Sequence, residues 1–138
     1  MDATNLPVFR EDRLFEDVKR WIESGGSASA IKPESNWWLL NIAAEFQCVE
    51  AIEYLISQGG DPNLPDKFGS TPLHISVDSE IDATTQVGAP LEYRATKRLL
   101  EFGADLTIKN MKGETPLDWI NKRGTQARRK FDQVMKRK

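Results

Sequence analysis

The sequence predicts an all-α fold in which about four helix pairs stack side by side into a short solenoid. Three similar segments support this fold, and their first leucines are Leu40, Leu73 and Leu117. Leu40 and Leu73 lie 33 residues apart. Leu73 and Leu117 lie 44 residues apart, which is the same spacing plus 11 residues. Glycines that are typical of helix ends recur at a similar interval, since Gly25 precedes Gly59 by 34 residues. We therefore expect one domain of repeated units with an insertion in the central unit.

The central segment is the clearest of the three. It runs from Asp66 to Val77 and contains the tetrad Thr-Pro-Leu-His at 71–74. The stretches 58–63 (Gln-Gly-Gly-Asp-Pro-Asn) and 101–105 (Glu-Phe-Gly-Ala-Asp) continue the pattern. Together these motifs resemble the ankyrin repeat family. The resemblance implies an ankyrin-repeat solenoid with hairpin-loop fingers, made of a capping repeat (1–35), two repeats (36–65 and 66–109) and a second capping repeat (110–138).

The first helices follow from the spacing of apolar residues. Over 12–24, Leu14, Val18 and Trp21 fall on one face and charged residues fall on the other, which predicts a helix that covers the N-terminal end of the stack. The next pair comprises an inner helix over 38–44 and an outer helix over 49–58. Within the inner helix, Ala43 and Ala44 are small enough to let it approach its neighbours closely.

The later helices follow from their first residues. Thr71 is suited to capping a helix, and Pro72 fits the first turn, where a missing N–H is no loss. The same Thr-Pro-Leu sequence at 115–117 predicts the last inner helix. Outer helices are predicted over 93–102 and over 125–138, and the charged second one is suited to closing the C-terminal end of the stack.

An acidic segment interrupts the central repeat. Residues 78–92 are predicted to form a long loop, which contains the 11-residue insertion between the inner and outer helices. The segment carries Asp78, Glu80, Asp82 and Glu92 and no basic residue. It is either a tolerated surface insertion or a binding loop. Its acidity favours binding, because it adds to that of residues 36–65.

Charge and cysteine content limit the classes of protein. Formal net charge is −2, from 19 basic and 21 acidic residues, so the total implies neither nucleic-acid binding nor disorder. Residues 36–65 carry four acids and no base, whereas residues 110–138 carry nine bases and three acids. Cys48 is the only cysteine, which excludes an intramolecular disulfide. No stretch approaches the roughly 18 apolar residues that span a membrane, and a cytoplasmic location is expected.

No pattern of catalytic residues stands out. The glycines lie at repeat turns and form neither a P-loop nor a dinucleotide-binding motif. His74 is the only histidine, and the resemblance gives its ring a structural hydrogen bond to Thr71 and to neighbouring backbone. We therefore predict that the chain is not an enzyme and that it uses no metal, cofactor or small-molecule substrate.

The family resemblance implies a protein-binding surface formed by the fingers and inner helices. Carried onto this chain, the variable positions of that surface include Trp37, Phe46 and Phe68, which are large aromatic residues and candidate anchors. The candidate partner-binding residues are Trp37, Glu45, Phe46, Lys67, Phe68, Asp78, Ser79, Glu80, Asp82, Met111 and Lys112. Further positions of the same surface are Glu34, Ser35, Ser70, Glu114, Lys122 and Arg123.

These residues predict a protein-binding module whose partner presents a basic patch to the acidic residues. Analogy with small bacterial ankyrin proteins suggests an inhibitor, such as an immunity protein against a cognate toxin. A nuclease toxin would suit the acidic surface, since its own site must be basic. The alternatives are an adaptor that recruits its partner, and a nucleic-acid contact through the basic residues of 128–138. The nucleic-acid contact is disfavoured because no aromatic residues that could stack on bases lie between those basic residues.

Overall fold

The computed structural model of the chain describes residues 10–28, 31–32, 37–88 and 90–136. Within these ranges the α-helices are α1 (Leu14–Glu23), α2 (Leu39–Glu45), α3 (Val49–Ser57), α4 (Pro72–Val87), α5 (Arg94–Glu101), α6 (Pro116–Lys122) and α7 (Thr125–Lys136). A 3-10 turn at Glu11–Arg13 precedes α1. Two short strands, β1 (Ile31–Lys32) and β2 (Trp37–Trp38), pair antiparallel. The predicted all-α repeat fold is confirmed.

The helices pack in two layers. Helices α2, α4 and α6 contact one another in turn and form the inner layer, while α1, α3 and α5 form the outer layer in the same way. Each inner helix also packs against the outer helix that follows it, so that α2 lies on α3, α4 on α5 and α6 on α7. Because every helix pair contacts the next, the apolar face of each pair is covered by its neighbour.

Two inner helices begin with the same hydrogen bonds. At the start of α4, the amide of Thr71 donates to Nδ1 of His74 at 3.0 Å, which confirms the hydrogen bond that the family resemblance implied. At the start of α6, the amide of Thr115 donates to Oδ2 of Asp118 at 2.9 Å. In both helices the proline occupies the first turn. Histidine and aspartate therefore perform the same capping role three residues after the threonine.

Helix α2 lacks the Thr-Pro pair and begins differently. The amide of Trp38 donates to Oδ1 of Asn41 at 2.9 Å, so the asparagine takes the acceptor role of the histidine. The indole Nε1 of Trp38 donates to the carbonyl of Pro65 at 3.0 Å, in the loop that leads to the next repeat. The tryptophan thereby ties the start of α2 to the loop that precedes the central repeat.

Helix α4 is much longer than predicted. The prediction of a loop over 78–92 is wrong, because α4 continues as far as Val87. Val77 and Ile81 lie one turn apart on the same face and are both buried, so the extension has an apolar side to cover. Gly88 then ends the helix in the left-handed region, with φ +70° and its amide donating to the carbonyl of Thr84. The insertion is therefore mostly helix, followed by a short connection to α5.

The core consists of two apolar clusters. The first joins α1 to α5 and includes the buried residues Leu14, Trp21, Leu40, Ile52, Leu73 and Leu99. The second joins the end of α4 to α6 and α7 and includes Val77, Ile81, Tyr93, Ile120, Phe131 and Val134. The extension of α4 supplies Ile81 to the second cluster, so the insertion contributes to the core of the C-terminal end.

Candidate protein-binding surface

Two fingers project before the inner helices α4 and α6, and they share one geometry. In the first finger, residues 66–70, Oδ1 of Asp66 accepts the amides of Phe68 (2.8 Å) and Ser70 (2.9 Å). In the second finger, residues 110–114, Oδ1 of Asn110 accepts the amides of the residues at 112 (2.9 Å) and 114 (3.0 Å). In each finger, the side chain of the first residue thus stabilises the turn by accepting amides two and four residues later.

The two fingers are joined at their tips. The amide of Met111 donates to the carbonyl of Phe68 at 2.9 Å. Gly69 permits this approach, because a Cβ at this position would lie 2.9 Å from the amide nitrogen of Met111. Its φ of +79° also lies in the left-handed region that favours glycine. The fingers therefore contact each other through their backbones.

Four of the predicted partner-binding residues meet at these tips, and we call them the fingertip patch: Lys67, Phe68, Met111 and Lys112. Phe68 is 60% exposed and Met111 is 77% exposed. The ammonium group of Lys67 lies 5.2 Å from the centre of the Phe68 ring. Exposed apolar side chains that lie next to each other are typical of binding surfaces, so this patch is one candidate site.

A second group of predicted residues meets at the other end of the inner helices. We call Glu45, Asp78 and Asp82 the acidic cluster. Glu45 ends α2, whereas Asp78 and Asp82 lie one turn apart on α4. Arg123, at the end of α6, pairs with both aspartates, and its Nη1 lies 2.9 Å from Oδ1 of Asp78. The cluster thus holds three carboxylates from two helices, and one guanidinium pairs with two of them.

The pKa values of the acidic cluster reflect this crowding. Burial raises the pKa of Glu45 above its usual value, and the negative charges of Asp78 and Asp82 raise it further. The pKa of Asp78 is raised by burial and by Asp82, although Arg123 opposes the shift. Burial and mutual repulsion therefore both disfavour the charged forms of these acids.

Glu80 does not belong to an exposed binding site, which corrects its predicted role. Its side chain is buried and accepts hydrogen bonds from the amides of Ala95 (2.8 Å) and Thr96 (3.2 Å) and from the Thr96 hydroxyl (2.7 Å). These amides belong to the first turn of α5, which lacks a side-chain cap of its own at Tyr93. Glu80 therefore caps α5 from a different helix.

Other predicted positions also have structural contacts. Ser79 donates through Oγ to the carbonyl of Glu45, and Gln47 donates to the carbonyl of Ser79 at 3.1 Å, so Ser79 connects α4 with the turn after α2. Phe46 is half-buried and packs on the first apolar cluster. Ser70 is buried. Ser79, Phe46 and Ser70 therefore each have a structural role that requires no partner protein.

Some of the remaining predicted positions are paired within the chain, and others lie outside the described residues. Lys122 pairs with Glu114, whose Oε1 also accepts a hydrogen bond from the indole of Trp119 at 3.2 Å. Trp37 lies in β2, but its side chain is outside the described residues, as are Glu34 and Ser35. On α7, Arg128 is paired with Asp132 (3.1 Å) and with the side chain of Asn121, which reduces its freedom to contact a phosphate.

Two roles were missed in the sequence, although each left a signal there. Arg123 is predicted as a further position of the binding surface, yet it lies 45 residues after Asp78, close to the 44-residue spacing of the two repeats. That spacing indicates that Asp78 and Arg123 occupy nearly equivalent positions in adjacent repeats. The capping role of Glu80 was missed because residues 78–92 are predicted to form a loop, although Val77 and Ile81 lie at helical spacing.

The described residues contain no metal-binding group and no membrane-spanning helix. Among them, no three His, Cys, Asp or Glu side chains are placed to hold a metal ion. No described helix combines the length and the apolar composition needed to cross a bilayer. His74 is occupied at both nitrogens, since Nδ1 accepts from Thr71 and Nε2 donates to the carbonyl of Glu114 at 2.8 Å.

Comparisons with known proteins agree with the geometry. Residues 40–126 match the family described as ankyrin repeats (3 copies). The chain is 30% identical over 84 residues to an ankyrin repeat protein of Rickettsia felis, covering 61% of this chain and 34% of that protein. It is 28% identical over 143 residues to the mitochondrial disaggregase of Bos taurus, covering 86% of this chain and 21% of that protein. It is also 28% identical over 105 residues to protein phosphatase 1 regulatory subunit 12A of Mus musculus, covering 76% of this chain and 9% of that protein. The chain thus spans about a third or less of the length of each of these relatives.

Proposed function

The chain belongs to the ankyrin repeat family, whose members act as protein–protein interaction modules, and we propose that it binds a protein with a basic surface through the acidic cluster. A partner's lysine or arginine would enter between Glu45 and the two aspartates of α4. Complementary charge of this kind mainly raises the association rate and selects the partner.

The excess of carboxylates over cations in the acidic cluster is the observation that carries this proposal. Asp78 and Asp82 keep about half of their side-chain surface exposed, at 50% and 46%, although both pair with Arg123. Glu45 lies beside them, and no described basic residue pairs with it. A cation from a partner would therefore reduce the net negative charge of the cluster without displacing an internal ion pair.

We further propose that binding inhibits the partner, as an immunity protein inhibits a cognate toxin in the cytoplasm. A nuclease toxin fits this proposal, because the surface that holds its phosphates is basic and would be covered by an acidic protein. An adaptor would bind the same kind of surface without blocking it. An assay of the partner's activity with an equimolar amount of the chain separates the two, since only an inhibitor abolishes the activity.

The binding proposal is tested with a partner recovered by affinity purification from the native source. Association is measured by surface plasmon resonance at several salt concentrations for the wild type and for Asp78→Asn/Asp82→Asn. We expect the variant to associate about tenfold more slowly at low salt and to show a weaker salt dependence.

The matched control is Glu23→Gln/Glu101→Gln, which removes two exposed carboxylates at the C-terminal ends of the outer helices α1 and α5. We expect wild-type association from this control. If the two double variants behaved alike, the acidic cluster would not be the contact. Thermal melts of each variant confirm that the fold is kept.

A further inference from the structure

The fingertip patch and the acidic cluster carry opposite charges, although both belong to the surface formed by the fingers and inner helices. The tips carry Lys67 and Lys112, whereas the acidic cluster has three carboxylates, of which two pair with Arg123. One basic partner surface cannot match both, because it would be repelled by the lysines. The tips must therefore favour a different kind of contact.

The lysines of the tips are available for a partner. Among the described residues, neither Lys67 nor Lys112 is within ion-pair distance of a carboxylate. The carboxylate of Asp66 is turned into its own finger, where it accepts the amides of Phe68 and Ser70. The carboxylate of Glu114 is paired with Lys122 instead. The charge that the tips present to solvent is therefore positive.

The tips also present apolar surface between the two lysines. Phe68 and Met111 are the most exposed large apolar side chains of the described chain, at 60% and 77%. Their backbones are joined by the hydrogen bond from the Met111 amide to the Phe68 carbonyl, so the two side chains start from fixed, adjacent positions. A phenylalanine and a methionine side by side offer a flat, adaptable apolar contact.

The two charged regions are well separated along α4. Asp78 follows Thr71, at the base of the first finger, by seven residues, which corresponds to about 10 Å along the helix axis. The macrodipole of α4 adds to this charge separation. Its positive N-terminus faces the fingers with their lysines, whereas the acids lie on its later turns. A single protein can therefore contact both regions with different patches.

We infer that the fingertip patch binds an acidic segment that carries an apolar side chain. The apolar side chain lies against Phe68 and Met111, and flanking aspartates or glutamates pair with Lys67 and Lys112. This inference rests on the proposed function in that it assumes a protein partner. It differs in assigning an acidic segment, and not a basic one, to the fingers.

A random peptide library selected on the immobilised full chain tests the inference. We expect the enriched peptides to share an excess of acidic residues around an aromatic or aliphatic residue. Their affinity, measured by fluorescence anisotropy, should fall about tenfold or more for Lys67→Glu/Lys112→Glu and for Phe68→Ala/Met111→Ala. The control Arg129→Glu/Lys136→Glu reverses two exposed bases on α7 and should bind as the wild type does.

Three results would overturn the inference: no enrichment, enrichment of peptides without an acidic excess, or equal effects of the fingertip and α7 reversals. Its failure is distinguishable from that of the proposed function. If partner association depends on Asp78 and Asp82 but acidic peptides do not bind the fingers, only the inference fails. If acidic peptides bind the fingers but the aspartates do not affect association, only the basic-partner proposal fails.

Discussion

At the scale of single residues, one position caps each of the three inner helices. Asn41, His74 and Asp118 each accept the amide at the start of their helix. Only the imidazole has a second nitrogen that reaches the next repeat, at the carbonyl of Glu114. The Nδ2 atom of Asn41 is buried and has no hydrogen-bond partner among the described residues. The histidine thus adds a bond between repeats that asparagine does not supply.

His74 is expected to make folding stability depend on pH. Burial lowers the pKa of the ring to about 4 from 6.5. Nδ1 also accepts a backbone amide in the folded state. The unfolded state then binds more protons between these values, so the free energy of unfolding should fall as pH decreases from about 6.5 to about 4. The decrease in the free energy of unfolding that His74 contributes should reach about 3 kcal/mol at about pH 4.

Urea denaturation at a series of pH values checks this prediction, with His74→Asn as the control. Asparagine occupies the equivalent position at 41, so the variant keeps an acceptor for Thr71 but cannot titrate. The raised pKa values of Glu45, Asp78 and Glu80 act in the opposite sense, since these acids take up protons more readily when folded. The variant should therefore lose the decrease below pH 6.5, and an unchanged profile would contradict the prediction.

At the scale of the element, the extension of α4 stabilises the start of α5. Glu80 accepts two amides of α5 and the hydroxyl of Thr96, and that hydroxyl also lies 2.9 Å from Oγ of Ser76. This buried network joins the two helices of the central repeat. Burial raises the pKa of Glu80, while the hydrogen bonds from Thr96 and Ala95 lower it, so the bonds offset part of the cost of burying the carboxylate.

Glu80→Ala should destabilise α5 before the rest of the fold. The substitution leaves the amides of Ala95 and Thr96 without their acceptor, which should cost between about 1 and 3 kcal/mol. Hydrogen exchange followed by NMR should show faster exchange at these two amides than at Ile52 in α3. The control is Glu92→Gln, in the exposed connection before α5. Equal exchange in the two variants would show that Glu80 is not a cap.

The helices and the fingers could be predicted from the sequence because they depend on local, repeated signals. Apolar spacing located α1, and the Thr-Pro pairs located the starts of α4 and α6. The insertion was assigned wrongly because its helical signal is short, with only Val77 and Ile81 one turn apart. Its burial depends on α7, which is about 50 residues distant in sequence. The pairing of Arg123 with two aspartates likewise depends on how the repeats stack.

At the scale of the whole molecule, the two apolar clusters meet at the central repeat. The first cluster takes Leu73 and Ile75 from α4, and the second takes Val77 and Ile81 from the same helix. Leu100 and Leu106 contact both clusters. Helix α4 therefore contributes to every part of the core that the structure describes, and its loss would separate the two ends of the stack.

Leu73→Ala should lower the stability of the whole domain. The side chain is fully buried, at 0% exposure, and its truncation leaves a cavity that should cost about 2–5 kcal/mol. Chemical denaturation monitored by circular dichroism and by tryptophan fluorescence measures the change. Met111→Ala, at an exposed fingertip, is the control and should change stability by less than about 0.5 kcal/mol. A similar small change for Leu73→Ala would show that this leucine lies outside the core.

The hydrogen bond between the two fingers also has an entropic consequence. Separate loops would each lose conformational freedom when a partner ordered them, and this loss would weaken binding. The bond from Met111 to Phe68 orders the two tips relative to each other before any partner arrives. A partner that contacts both tips thus meets one preorganised surface, and more of its contact energy appears as affinity.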